Sequence, residues 1–301
     1  VACIPAYNEE RNIAKVIVGA MSHVDQVIVC DDGSQDMTAK IAEKLGAIVV
    51  SHKRNLGYGA AIASLFETAR QMKVDIMVTL DGDGQHDPSR IPAIIQPIIE
   101  GKAHIVVGSR FLDPSQSKEN NNGNNLSSYR KFGIKAITKI SNIVTQTGLT
   151  DSQSGFRAYD RKAIQEIRVT EQGMGASTEI LFRAQGNHFS ILEVPISVDY
   201  SDTGETSTHN SVYHGVDVII STIKFVSIDH PLRFYGIPGL ACIAIAIYFG
   251  IIAIQTYTEG GRLITNVALT SIGFLITGVV LMATAVILYV IINVVRDSRR
   301  I

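Results

Sequence analysis

The chain is poor in cysteine, has almost no net charge, and over two long stretches carries no charge at all. Its three cysteines are an odd number without metal-ligand spacing. That excludes a disulfide framework, and Cys3, Cys30 and Cys242, all in apolar runs, are expected as buried, reduced thiols. A formal charge of −1 lacks the basic excess of a nucleic-acid binder, so no nucleic-acid partner is expected. No internal repeat is evident, and no signal-peptide pattern is visible before the strand-like run at Val1. Tryptophan is absent altogether.

The uncharged stretches are Phe234 to Tyr257 and Val267 to Val295. At ~1.5 Å rise per residue, either is long enough to cross a ~30 Å hydrocarbon core. The short connector between them predicts a transmembrane hairpin over about 232–301. Its outer ends carry Lys224, His230 and Arg233, then Arg296, Arg299 and Arg300. The connector has Arg262 beside Glu259. The positive-inside tendency then predicts an integral membrane protein with its N-terminal domain on the cytoplasmic face.

What is present upstream alternates strand-like and helix-like runs. Val1–Pro5, Asp25–Cys30, Ala47–Val50, Val74–Leu80 and Ala103–Val107 read as strands. Glu9–Ala20, a run from a Ser34 cap to Leu45, Gly57–Met72 and Pro88–Glu100 read as helices. Repeated β-α units with near-continuous Val/Ile strands predict an α/β domain over 1–210, with a mostly parallel, Rossmann-like sheet flanked by helices. Ligands of such sheets bind beyond the carboxyl ends of the strands. The polar clusters at 5–9, 31–34 and 81–87 follow strand ends and should converge on one crevice.

Pro114 to Ser128 is rich in Asn, Ser and Gly and reads as a loop. It contains an Asn125-Leu-Ser127 sequon that the cytoplasmic placement would leave unmodified. Ile134, Ile137, Ile140 and Val144 recur at helical spacing among Arg130, Lys131, Lys135 and Lys139. They predict a basic amphipathic helix over about 129–146, suited to a membrane interface. A second stripe, Val212, Val216, Ile219, Ile223 and Val226, predicts a juxtamembrane helix over 211–231.

The most informative stretch is Thr79-Leu-Asp-Gly-Asp-Gly-Gln-His-Asp-Pro88. Asp81 and Asp83 alternate with glycines and would point the same way on an extended backbone. Gly82 and Gly84 let the backbone turn sharply and approach a ligand. Two carboxylates at a strand end suit Mg²⁺ or Mn²⁺ held against a diphosphate. A plain solvated turn is the competing reading. An EF-hand is excluded, because His86 stands at the glycine position and Pro92 at the closing glutamate.

Six motifs occur in order: Ile4-Pro-Ala-Tyr-Asn-Glu-Glu10, Asp31-Asp-Gly-Ser34, Asn55-Leu-Gly-Tyr-Gly-Ala60, Asp81-Gly-Asp83, Gly108-Ser-Arg110 and Asp151-Ser-Gln-Ser-Gly-Phe-Arg157. Together they resemble the family 2, GT-A fold glycosyltransferases over about residues 1–200. More narrowly, they resemble the polyprenyl-phosphate glycosyltransferases, the dolichyl-phosphate mannose and glucose synthase group. The segment Ser207-Thr-His-Asn210 with His214-Gly215 is similar to archaeal members of that group.

The resemblance implies a hexosyltransferase that inverts the anomeric centre. It implies a nucleotide-diphosphate sugar donor, a dolichyl or other polyprenyl phosphate acceptor and a divalent cation. Pro5, Ala6, Tyr7, Glu9, Asp32, Gly33, Gly57, Asp81 and Gly82 would border the donor nucleotide. Asp83 and Gln85 would ligate the metal, with Asp81 ligating it or touching the sugar. Arg110 and Arg130, helped by Lys131, are the candidates for the lipid phosphate, whose oxygens a guanidinium fork matches. Asp151, Ser154, Gly155 and Arg157 would form a loop against sugar and acceptor. Glu179 would contact sugar hydroxyls or cap its helix.

One segment departs from the family. An Arg-x-x-Gly-x-Ser-Lys stretch is common there, but here Tyr200 to Asn210 lacks the cations, and His209 and His214 stand in the area. Processive polysaccharide synthases, the nearest rival, usually carry Gln-x-x-Arg-Trp and more spans, which a chain without tryptophan cannot match. A catalytically idle scaffold that binds nucleotide-sugar is a further rival, disfavoured by the intact acidic turn. The segment from Ser207 to Gly215 leans toward a uridine-diphosphate donor, glucose or N-acetylglucosamine, over guanosine-diphosphate mannose. Self-association into a homo-oligomer is left open.

Overall fold

A computed structural model describes residues 1–112, 138, 148–196, 227, 231–260 and 264–298. The chain separates into two units, 1–222 and 223–301. The basic helix expected at 129–146 and the juxtamembrane helix at 211–231 lie almost wholly outside the described residues.

In the first unit the order is β1 (Ala2–Ala6), α1 (Ile13–Met21), β2 (Val27–Asp31), α2 (Thr38–Lys44), β3 (Ile48–Ser51), α3 (Tyr58–Gln71) and β4 (Ile76–Thr79). A 3₁₀ turn at Pro88–Arg90 then leads into α4 (Ile91–Ile99). There follow β5 (Ile105–Ser109), β6 (Arg157–Asp160), α5 (Arg161–Glu166), α6 (Ala176–Gly186) and β7 (Ile191–Pro195). The seven strands form one sheet in the order β3-β2-β1-β4-β6-β5-β7.

The continuous apolar strands read as they do because both faces are covered. Along β1, Ala2, Ile4 and Ala6 join one core with Ile13, Ile17 and Ala42 of α1 and α2 and Ile91 and Ile94 of α4. Cys3 faces the other way, into a core with Ile62, Leu65 and Phe66 of α3 and Ile180 and Leu181 of α6. Alternation along the strand thus feeds two layers of helices.

The sheet is mostly parallel, as expected, with one antiparallel strand: β6 runs between β4 and β5, with Thr79 opposite Arg157 and Val107 opposite Arg157 in the two ladders. The stretch Asp151–Arg157 therefore ends in a strand. Ser34 does not cap α2, which starts at Thr38 after Met37. Its hydroxyl instead accepts from Asn8 N–H at 2.9 Å, tying two strand-end loops together. The helix expected from Glu9 starts only at Ile13, after a turn in which Asn12 N–H donates to the Glu9 carbonyl.

In the second unit a π turn at Leu232–Gly236 runs into α7 (Ile237–Gly260), and α8 spans Thr265–Ser298. Both helices are long and apolar enough to cross a membrane. They meet through small residues. A Cβ at Gly278 would stand 2.7 Å from Ile243 Cγ1 and 2.9 Å from the Gly239 carbonyl oxygen. Ser271 Oγ donates across to the Ala246 carbonyl at 2.8 Å. Close backbone approach with a hydroxyl cross-link is a packing mode suited to helices in lipid.

Candidate active site

The sheet order reverses between β1 and β4, since β1 pairs with β2 on one side and with β4 on the other. The β1–β4 register covers only Ala2 with Val78 and Cys3 with Thr79. A crevice beyond the strand ends is the expected consequence at such a switch point. A cleft of about 500 Å³ lies there. Pro5, Ala6, Tyr7 and Glu9 line it from the end of β1, and Asp32 from the end of β2. Gly57 lines it at the start of α3, Asp81, Gly82 and Asp83 after β4, and Gly155 ahead of β6. Three separate polar clusters of the sequence thus meet in one place.

The two aspartates are held differently. Asp83 Oδ1 accepts from Gln85 N–H at 3.0 Å, a local turn that shapes the loop. The Gln85 side chain is not part of the cleft lining. Asp81 packs against Gly155, where a Cβ would stand 2.6 Å from both of its carboxylate oxygens. Only glycine fits there. Burial pushes the Asp81 carboxyl up to about 6, against the pull of Arg110 and Arg157. Buried His86 lies behind it, its Nδ1 3.6 Å from Asp81 Oδ2, and burial pushes this imidazole down toward the neutral form. Glu9 is also raised, first by burial and then by the charges of Asp83, Asp36 and Asp81, while Asn12 opposes.

These features bear on the cation. Hard carboxylate oxygens of Asp81 and Asp83 open onto one cleft, and the nearby Glu9 carboxyl registers their repulsion. Mg²⁺ or Mn²⁺ bound through one or two carboxylates plus substrate phosphates needs no more from the protein. Among the described residues no group of three His, Cys, Asp or Glu side chains forms a self-sufficient cage. The donor set therefore fits a cation that a diphosphate completes.

Asp32 is almost fully buried and already engaged. Its oxygens accept from Leu56 N–H at 2.9 Å and Gly57 N–H at 2.8 Å, and His52 Nδ1 lies 2.6 Å from Oδ1. It anchors the loop before α3 at the edge of the cleft. Gly33, at φ +75°, sits outside the lining, and its Cβ would stand 2.5 Å from the Arg54 carbonyl carbon. That glycine lets two chain segments touch.

The loop ahead of β6 is organised from behind. Arg157, 1% exposed, donates to the carbonyls of Ser154, Ser177 and Ser152 at 2.7–2.8 Å. Ser154 Oγ accepts from Phe156 N–H. Neither residue reaches the cleft lining. Asp151, fully buried, takes the Arg110 fork, with Nε–Oδ2 at 2.6 Å and Nη2–Oδ1 at 2.8 Å. Glu193 of β7 in turn accepts the Thr150 and Asp151 N–H groups. The Arg110 cation is thereby oriented by a carboxylate. Glu179 is fully buried on α6, which Gly175 caps, and binds neighbouring chain. It lies outside the cleft lining. Arg130, Lys131, His209 and His214 lie outside the described residues.

Sequence reasoning overlooked Tyr58, Gln153, Ser177, Gly173 and Met174, which also line the cleft. Tyr58 and Gln153 sit inside motifs already singled out. Met174 and Ser177 carry no local signal, because α6 and the segment ahead of it bring them in from a distant part of the chain.

Comparison with known proteins agrees with this geometry. The profile described as Glycosyl transferase family 2 matches residues 1–168. The UDP-N-acetylglucosamine–dolichyl-phosphate N-acetylglucosaminyltransferase of Methanococcus voltae is 33% identical over 237 residues, 72% of this chain and 89% of that protein. Glycosyltransferase AglJ of Haloferax volcanii is 25% identical over 98% of this chain and 94% of its own length. The polyprenol monophosphomannose synthase of Mycolicibacterium smegmatis is 28% identical over 69% of this chain and 80% of its own. Among solved structures, Mycobacterium tuberculosis glucosyl-3-phosphoglycerate synthase with Mn²⁺, UDP and phosphoglyceric acid superimposes with a TM-score of 0.58. It is 21% identical and covers 75% of this chain and 77% of its own, which supports the GT-A fold. A crevice at the β1–β4 switch point, an Asp-x-Asp turn in its lining and a profile match over more than half the length place this chain in glycosyl transferase family 2.

Proposed function

We propose that this protein transfers one sugar from a nucleotide-diphosphate sugar to dolichyl or another polyprenyl phosphate in a membrane. The observation that carries the reading is the coexistence in one chain of the Asp81/Asp83 cleft and two helices long and apolar enough to cross a bilayer. Relatives named for dolichyl-phosphate and polyprenol-phosphate transfer support the acceptor. The Methanococcus relative and the sequence around Ser207 to Gly215 favour UDP-N-acetylglucosamine or UDP-glucose over GDP-mannose.

Asp81 and Asp83 hold the cation, with Gln85 shaping their loop. When bound, the cation offsets the charge that grows on the leaving diphosphate. Tyr7, Glu9 and the loop anchored by Asp32 border the nucleoside. The acceptor phosphate is anionic near pH 7 and needs no strong general base. It needs cationic positioning, which we assign to Arg110, oriented by Asp151, together with Arg130 and Lys131. Attack from the face opposite the diphosphate inverts the anomeric centre. The basic residues Lys224, His230, Arg233, Arg296, Arg299 and Arg300 flank the two uncharged stretches, which supports a cytoplasmic catalytic domain by the positive-inside tendency.

The test is a transfer assay with full-length protein, Mg²⁺ or Mn²⁺, dolichyl phosphate, and separately radiolabelled UDP-N-acetylglucosamine, UDP-glucose and GDP-mannose. Metal-dependent label in the lipid phase from one donor is the expected result and names the sugar. Nucleotide binding without lipid-phase label from any donor overturns the acceptor.

A further inference from the structure

Segment 170–175 lies directly on the start of α3. Gly59 N–H donates to the Gln172 carbonyl at 2.7 Å. A Cβ at Gly57 would stand 2.6 Å from the Gln172 oxygen, and one at Gly59 would stand 2.1 Å from the Glu171 oxygen. Backbone therefore rests on backbone, and these two glycines make the contact possible. One of the free N–H groups at this helix start is already satisfied by the segment, so it is not open to a phosphate.

The same segment is gripped from α6. Glu179 accepts from Thr170 N–H at 2.9 Å, from Glu171 N–H at 2.8 Å and from Thr170 Oγ1 at 2.6 Å. Arg183, one turn along α6, donates Nε to it at 2.8 Å. Every partner is a donor, so an ionised carboxylate suits the position and an amide does not, because its NH₂ would face other donors. Burial opposes ionisation, but the hydrogen bonds from Thr170, Glu171 and Arg183 outweigh it and hold the carboxyl below its ordinary value. Between the two grips, Gly173 and Met174 line the cleft beside Gly57 and Asn55.

We propose that Glu179 is a positioning residue for the sugar-nucleotide donor. It pins segment 170–175 against the start of α3 and thereby sets the wall that Gly173 and Met174 present to the donor. Glu179 touches no ligand; it acts through the segment. The inference rests on the donor reading above.

The experiment compares the wild type with Glu179→Gln, as full chains in lipid nanodiscs, using UDP with Mn²⁺ for binding and UDP-N-acetylglucosamine and UDP-glucose for turnover. The expected result is an increase of about tenfold in KM for the donor and in Kd for UDP, with kcat within about threefold and KM for dolichyl phosphate unchanged. Hydrogen exchange should quicken at the Thr170, Glu171 and Gly59 amides. An unchanged donor KM, or an equal loss in kcat and both KM values, overturns the proposal. Gly59→Ala and Thr170→Val strain the same contact from its two sides. Should Glu179→Gln not fold, these variants must show the same donor-only signature, and normal donor KM in both overturns the proposal. Failure of the wild type itself to bind UDP overturns the donor reading instead, while the exchange data still decide whether Glu179 holds the segment.

Discussion

The two units bury opposite things. In 1–222 the large apolar side chains of the central strands are fully buried, Ile4 and Ile28 among them, and the cleft is walled by loops at the strand ends. In 223–301 large apolar side chains stand outside, with Ile254 at 66% and Ile247 at 57% exposed, while Gly239, Ala246, Ala253 and Ala285 are buried. Water drives the first arrangement, because removing Ile, Val and Leu from it is worth roughly 1.5–3 kcal/mol each. It does not explain the second, which would be a liability in water and is the expected surface in lipid. The first unit positions charge and the second presents apolar surface, so lesions in each should have separable effects.

The largest expected effect comes from removing a carboxylate from the cleft. Asp83→Ala should lower kcat by about 10³-fold or more, while the thermal unfolding midpoint moves by only a few degrees. Normal turnover in a folded variant would remove Asp83 from the metal site. Gly155→Ala should follow, with kcat/KM down roughly 10²-fold, because a methyl would overlap the Asp81 oxygens at 2.6 Å and displace that carboxylate. Unchanged kinetics would mean that Asp81 needs no fixed position.

A smaller effect is tied to pH. A cation at the proposed site would need Asp81 ionised, and burial holds the folded-state value up at about 6, so protons would compete as pH falls through that value. Mn²⁺-dependent UDP binding, measured by calorimetry, should weaken roughly tenfold between pH 7 and pH 5. A flat profile would show that Asp81 stays ionised throughout. The smallest effect on the cleft should come from the other unit. Gly278→Leu must push Ile243 and the Gly239 backbone away, loosening α7 from α8. UDP binding should nonetheless stay within about twofold of wild type, while engineered disulfide cross-linking between α7 and α8 falls. A large loss of UDP binding would show that the units do not act independently.

Much of this was legible in residue order. The runs Val1–Pro5, Asp25–Cys30 and Val74–Leu80 place β1, β2 and β4 to within two residues, because strands covered on both faces must be apolar throughout. Asp81 and Asp83 announce themselves by their glycine spacing after such a strand. Strand β6 did not, because Arg157-Ala-Tyr-Asp160 is short and has no period, and only pairing with β4 and β5 on either side makes it a strand. Gly57 and Gly59 were visible too, inside the Asn55-Leu-Gly-Tyr-Gly-Ala60 motif. The Gln172 backbone that those glycines accommodate was not.

The sequence by itself determined the alternation of strands and helices, the acidic turn and the two uncharged stretches. Each follows from local chemistry: side-chain period, carboxylate spacing and unbroken apolarity. Tertiary structure alone decided that Arg157 and Glu179 face chain rather than cleft, that Asp151 holds Arg110, and that segment 170–175 reaches the start of α3. Those are contacts between residues distant in sequence. A buried arginine or glutamate takes its role from whichever donors and acceptors the fold delivers to it, and no local pattern records which ones those will be.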